Sequence, residues 1–157
     1  MGECTRILVV DDDESIRKTI STILEEKGYV VDTAENAKDA IEKTYLKFYH
    51  LALIDIRLPD MEGIQLLDRM RETTPRMVKI IVTGFPSLRN AIEAVNKSAD
   101  AYLIKPVKID ELLGTIEEHL AIQEEERRYS EQKVADFIEA RVRELEEEKI
   151  VSHGRKR

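Results

Sequence analysis

Apolar and polar positions along the chain follow two alternating rhythms. Short apolar runs at residues 6–10 (RILVV), 29–33 (YVVDT), 51–54 (LALI), 78–83 (VKIIVT) and 101–104 (AYLI) have the length and β-branched content of strands. Between them apolar residues recur at helical spacing: Ile16, Ile20, Ile23 and Leu24, then Ala37, Ala40, Ile41 and Thr44 or Tyr45, then Ile64, Leu67 and Met70, then Leu88, Ala91, Ile92 and Val95. A fifth stripe, Leu112, Leu113, Ile116 and Leu120, follows a start near Ile109. Punctuation agrees with these elements. Gly28 suits the C-terminal cap of the first helix, Asn36 the N-cap of the second, and Pro75 ends the third.

Five strands alternating with five helices predict an α/β fold with a parallel sheet, because parallel neighbours need a crossover and helices supply it. Right-handed crossovers restrict the topology to doubly wound forms. The runs are apolar without interruption, as strands covered by helices on both faces must be.

Past Leu120 the pattern changes. Residues 123–133 (QEEERRYSEQK) have Tyr129 as their one large apolar side chain, and Val134, Ile138, Val142 and Leu145 then resume a stripe. Neither Gly nor Pro occurs from Thr115 to Ser152, so one helix from Ile109 to Lys149 is permitted, about 60 Å long at 1.5 Å per residue. The predicted organisation is a domain over residues 1–120 and a charged helical extension over 121–157. The extension's stripe must be covered, and pairing with a second chain is favoured over folding back, although the heptads are too few to define a coiled coil. Ser152 to Arg157 is expected to fray.

Composition removes several functions. With 157 residues and a net charge of −7 (pI about 5.1), the chain holds one ordinary core and no field that attracts nucleic acid or anionic lipid. Aromatic residues make up 5% with no Trp, so a base-stacking surface is not expected. No apolar run approaches the roughly 20 residues that span a bilayer. The single Cys4 forms no internal disulfide, and Met1-Gly2-Glu3 leads into a strand without a signal-peptide apolar region, so the expected location is cytoplasmic. Gly2 could suggest myristoylation, but Arg6 stands where that motif needs Ser or Thr.

The chemistry gathers at the strand ends. Asp55 closes the central run and is followed by a Pro- and Gly-containing loop, which places it at the carboxyl edge of the sheet, where ligands of open α/β folds bind. One such acid is ordinary turn chemistry. The same edge, however, also collects Asp11 and Asp12 from the first strand, Thr83 from the fourth and Lys105 from the fifth. Three clustered carboxylates repel one another unless a cation lies between them, and Mg²⁺ is the hard ion that binds through one or two acids and phosphoryl oxygens. A hydroxyl, an amine and the room left by Gly84 complete the parts that stabilise a transferred phosphoryl group, with Asp55 as the candidate nucleophile. Asp13 reads as a helix cap and His50, before the central strand, as structural.

These residues resemble the receiver domain of two-component response regulators. The resemblance runs from Arg6 to about Leu120 and is carried by ILVVDDDES (7–15), LALIDIRLPDMEG (51–63), IIVTG (80–84) and AYLIKP (101–106). It implies a flavodoxin-like strand order 2-1-3-4-5, a phosphoryl group received on Asp55 from a sensor histidine kinase, and no substrate turnover beyond the domain's own phosphorylation and dephosphorylation. It also implies Mg²⁺ held by Asp12, by Asp11 through water, by Asp55 and by the Arg57 backbone carbonyl. Thr83 and Lys105 are implied to contact the phosphorylated carboxylate, and Tyr102 to turn inward when Thr83 moves. The implied switching face is the fourth helix, fifth strand and fifth helix, and the unbroken helical composition from Ile109 makes a change in homodimerisation through the fifth helix and its extension, or in a partner's docking, the expected response.

Two departures fall near that face. Lys97-Ser98-Ala99 replaces a glycine-containing turn, where a left-handed residue other than Gly costs roughly 1 kcal/mol, so a looser or different corner is expected. Val107-Lys108 replaces an acidic cap, which predicts that Asp110 caps a later-starting fifth helix. A rival reading is a Mg²⁺-dependent hydrolase of the haloacid dehalogenase type. That family places its nucleophile after the first strand in a DxD[GV][TV] pattern, which Asp11-Asp12-Asp13-Glu14-Ser15 lacks.

Overall fold

The computed structural model describes residues 4–155. Expectations resting on Met1 to Glu3 and on Lys156 and Arg157 lie outside the described residues. The elements are β1 (Arg6–Val10), α1 (Glu14–Glu26), β2 (Val30–Ala34), α2 (Ala37–Leu46), β3 (Leu51–Ile54), α3 (Gly63–Leu66), β4 (Val78–Thr83), α4 (Leu88–Asn96), β5 (Ala101–Ile104) and α5 (Ile109–Arg155). The five strands form one parallel sheet in the order β2-β1-β3-β4-β5. This is the predicted doubly wound, flavodoxin-like sheet.

Alternation along each strand divides the core into two layers. Leu8, Val10, Ala52, Ile54 and Ile81 pack with Ala37, Ala40, Ile64 and Ala94, which puts α2, α3 and α4 over one face. Ile7, Val9, Leu51, Leu53, Ile80 and Val82 pack with Leu24, Leu112, Leu113 and Ile116, which puts α1 and α5 over the other. All four residues of β3 are buried, and each large aliphatic side chain among them stabilises the fold by about 1.5–3 kcal/mol relative to exposure.

Caps fix the ends of the helices. Asp13 and Asn36 accept from the amides of Ile16 and Asp39, at 3.2 and 2.8 Å, and so cap α1 and α2 as predicted. Asp60, from the loop after β3, accepts from the Ala37 and Lys38 amides, both at 2.9 Å, and adds an anion at the start of α2. His50 is structural: its Nδ1 accepts from the Arg6 amide at 3.0 Å.

Five expectations change. β2 begins at Val30, because the Tyr29 amide bonds to the Leu24 carbonyl at 3.2 Å while Gly28 takes φ +92°, which closes α1 in a Schellman turn. α3 stops at Leu66 instead of reaching toward Pro75. Ile64, Leu67 and Met70 are all buried, but the chain beyond Leu66 is a turn, and Lys79 Nζ takes the Leu67 carbonyl at 2.7 Å. The corner after α4 is neither looser nor differently built. Ser98 adopts φ +68°, with Ser98 N bonded to Val95 O at 3.1 Å and Ala99 N to Ala94 O at 2.8 Å, the same Schellman pattern with serine in the left-handed position. α5 starts at Ile109, as its apolar stripe predicts, but the Leu112 amide bonds to the Lys108 carbonyl at 3.0 Å, so Asp110 lies inside the first turn and is not the cap. Finally, Ser152 to Arg155 remain helical rather than frayed.

Residues up to Ala121 pack as one unit and those from Ile122 onward as a second. Because Ser98 holds a conformation that glycine adopts without steric cost, Ser98→Gly is expected to raise unfolding free energy by about 1 kcal/mol, measured by urea denaturation.

Candidate functional site

Backbone bonds at the carboxyl edge set the positions of the acids. The Asp55 amide donates to the Val10 carbonyl at 3.0 Å and the Asp11 amide to the Ala34 carbonyl at 3.1 Å, so the ladder brings Asp55 beside Asp11 one step beyond the named strands. Asp11, Asp12 and Asp55 each present a carboxylate oxygen within 4.8 Å of the others. Asp11 and Asp55 are buried and Asp12 is exposed, so the cluster opens to solvent on one side. The Asp13 amide donates to Asp11 Oδ1 at 2.9 Å, and Arg17 donates to the Asp11 carbonyl at 2.6 Å, which fixes the first acid from two directions.

Lys105 reaches this cluster from the end of β5. Its Nζ lies 2.7 Å from Asp11 Oδ2 and 3.3 Å from Asp55 Oδ2, and its amide bonds to the Thr83 carbonyl at 2.8 Å. Electrostatics follow from that geometry. Burial pushes the Asp55 carboxyl above the ordinary Asp range, with the Asp11 charge adding to it; Lys105 and the Arg57 amide oppose the rise without cancelling it. Burial acts against the Lys105 ammonium, but the hydrogen bond and charge of Asp11, then Asp55, outweigh it and hold the amine above its ordinary value. The site therefore has an acid that resists ionisation beside an amine that stays charged. A divalent cation suits this donor set, since two buried acids and one open acid converge and, among the described residues, one ammonium offsets them.

Thr83 is fully buried, and its Oγ1 accepts from the Phe85 amide at 3.0 Å. Phe85 in turn lies under the Arg57 guanidinium, 3.6 Å from the ring centroid. Tyr102, on β5, packs its ring on the layer containing Ile81 and Ala94, and its hydroxyl is buried with no hydrogen-bond partner. The structure thus gathers Asp11, Asp12, Asp55 and Lys105 directly. Thr83 joins through its backbone bond to Lys105, and Tyr102 sits on the neighbouring edge strand.

Four contributors were not singled out in the sequence. Gly63 packs on the backbone of the acid itself: a Cβ there would overlap the Asp55 carbonyl oxygen and lie 2.8 Å from its carbon, while the Gly63 amide donates to the Ile56 carbonyl at 2.7 Å. Read as a sequence, Gly63 is simply a turn residue. The others are Arg17, Asp60 and Phe85, whose roles depend on which loops the fold brings together.

A sheet of this order, with two acids after β1, one after β3 and a lysine after β5, defines a signalling receiver. A family model described as the response regulator receiver domain matches residues 7–117, and the chain belongs to that family. It is 40% identical over 120 residues to the transcriptional regulatory protein ZraR of Klebsiella oxytoca, covering 76% of this chain and 27% of that protein. It is 37% identical over 111 residues to the transcriptional regulatory protein DltR of Streptococcus agalactiae, covering 71% of this chain and 50% of that protein. The chain therefore spans from about a quarter to half of these relatives' length. Among solved structures, a CheY-like receiver domain protein from Methanospirillum hungatei superposes with a TM-score of 0.76 at 46% identity, covering 79% of this chain and 99% of that one. The beryllofluoride-activated NtrC4 receiver domain dimer gives 0.70 at 37% identity, covering 75% and 98%. The hydrolase of haloacid dehalogenase type is not supported, since the matching family is the receiver and the central acid follows the third strand.

Gly63→Ala is expected to displace the Asp55 backbone, costing about 2 kcal/mol of stability by overpacking. Chemical denaturation and the phosphoryl-adduct assay described below should both register the loss.

Proposed function

We propose that this chain is the phosphoacceptor of a two-component system, with Asp55 receiving a phosphoryl group from a phosphohistidine of a sensor histidine kinase. The observation that carries this reading is the Lys105 ammonium held between Asp11 and Asp55 at the sheet's carboxyl edge. In the transfer, an Asp55 carboxylate oxygen attacks phosphorus, the phosphorus–nitrogen bond breaks, and the imidazole leaves carrying the bond's electron pair. An acyl phosphate results. Asp11, Asp12, Asp55 and the Arg57 carbonyl would hold Mg²⁺, which when bound supplies positive charge to the phosphoryl oxygens. Lys105 stabilises the charge that gathers on the modified carboxylate, and its pairing with Asp11 keeps it in place when Asp55 is modified.

Thr83 then carries the signal. Its hydroxyl, which accepts from the Phe85 amide, turns to donate to a phosphoryl oxygen, so phosphorylation releases Phe85 from that bond. Tyr102, whose ring already packs on that layer and whose buried hydroxyl has no partner to break, shifts with Thr83. The differential contacts bias the face formed by α4, β5 and α5, where Leu88, Ile92, Val95 and Ile104 stand exposed. Homodimerisation through α5 and its extension is the response we assign to this face, supported by the dimer of the NtrC4 receiver. The chain acts as a signalling protein in the cytoplasm and does not itself contact nucleic acid, in keeping with its net charge of −7. Among the described residues no helix is long and apolar enough to cross a membrane.

Incubation with a small phosphodonor and Mg²⁺ tests the reading by intact mass. Wild type should gain one phosphoryl group, and Asp55→Asn or removal of the metal with a chelator should abolish the gain. An adduct that survives Asp55→Asn contradicts the assignment.

A further inference from the structure

The extension of α5 carries a seam of its own. Every described side chain from Arg128 to Ser152 is exposed, including Val134, Phe137, Ile138, Val142 and Leu145, which stand 48–71% exposed. We propose that residues 135–149 pair in parallel and in register with the same residues of a second copy of this chain. This deepens the homodimer reading above and rests on it.

Heptad position and charge select this pairing. With Ala135 and Val142 at a positions, Ile138 and Leu145 fall at d. Val142 at a with Leu145 at d is the combination that favours a two-stranded parallel pair, and Ala135 and Ile138 extend the apolar seam by one heptad. Lys149 occupies the next a position, where a single lysine specifies register at some cost in stability. In the same frame Arg141 lies at g and Glu146 at the following e. Across a parallel two-fold seam g faces the partner's next e, so two Arg141–Glu146 pairs form, one on each side. Antiparallel pairing sets g against g and e against e, and so brings the like charges of Glu139 and Glu146 opposite one another. Val134 borders the seam at g, whereas Phe137 falls at c and points away from it. The apolar seam covers only about two heptads, short of the three or four that sustain a coiled coil alone. It therefore adds to contacts made by the receiver face instead of holding the dimer by itself, and its occupancy is free to vary with the state of that face.

Disulfide trapping in the full chain, with Cys4→Ser as background, tests the proposal without any phosphodonor, so its outcome is separate from whether Asp55 is modified. Leu145→Cys should oxidise to a covalent dimer and Phe137→Cys should not. Adding Arg141→Glu to Leu145→Cys should reduce trapping about tenfold, as should Glu146→Arg, and the two together should restore it. Circular dichroism on each variant confirms that the helix is retained. Equal trapping at 137 and 145, no disulfide at 145 because the segment is monomeric or held by another occupant, or a double reversal that fails to rescue would each overturn the parallel seam.

Discussion

Repulsion among three carboxylates at one edge of the sheet is the constraint on which the rest of the molecule depends. Asp11, Asp12 and Asp55 each present an oxygen within 4.8 Å of the others, and among the described residues Lys105 is the one ammonium bonded to two of them. A folded chain that served only stability would not collect acids in this way, because burial already disfavours the charged form of Asp55. The arrangement makes physical sense as a place where added positive charge and a phosphoryl group are both accommodated.

The fold holds this unfavourable cluster together through apolar packing below it. Two core layers sandwich β1, β3 and β4, and the backbone ladder carries on past the last apolar residue of each strand, so the acids are placed by bonds that do not depend on their charge. Gly63 allows the loop after β3 to fold back over Asp55, and the Thr83–Phe85 bond leaves a hydroxyl at the edge that is committed only to one amide. Rigid support under a poorly satisfied edge is what permits a local charge change to move something.

Much of this was legible from the residue pattern because it depends on local chemistry. Strand runs ending in Asp11, Asp55, Thr83 and Lys105 identify both the sheet and its reactive edge, and Asp13 and Asn36 announce their helices by spacing alone. What was missed depends on long-range partners. The third helix has helical apolar spacing at Ile64, Leu67 and Met70, yet Lys79 on a neighbouring strand takes the Leu67 carbonyl, and the segment ends as a turn. Ser98 in a left-handed cap breaks the glycine preference because the surrounding Schellman bonds fix the corner. Gly63 and Asp60 act on elements that are distant in sequence. The long fifth helix and its start near Ile109 are legible, since its apolar stripe is local and no Gly or Pro interrupts residues 115–152, while its cap depends on the turn before it.

The unfolding free energy of wild type and Asp55→Asn across pH without Mg²⁺ measures the cost of this carboxylate cluster directly. Because the Asp55 carboxyl is raised in the folded chain, folding favours its protonated form; that contribution is complete below the ordinary Asp value of about 3.9 and is lost as pH rises through the raised one. Asp55→Asn is expected to be the more stable protein at neutral pH, with an advantage that grows through that window and narrows when Mg²⁺ is added. Equal stability of the two proteins at neutral pH, or a difference indifferent to Mg²⁺, would contradict it.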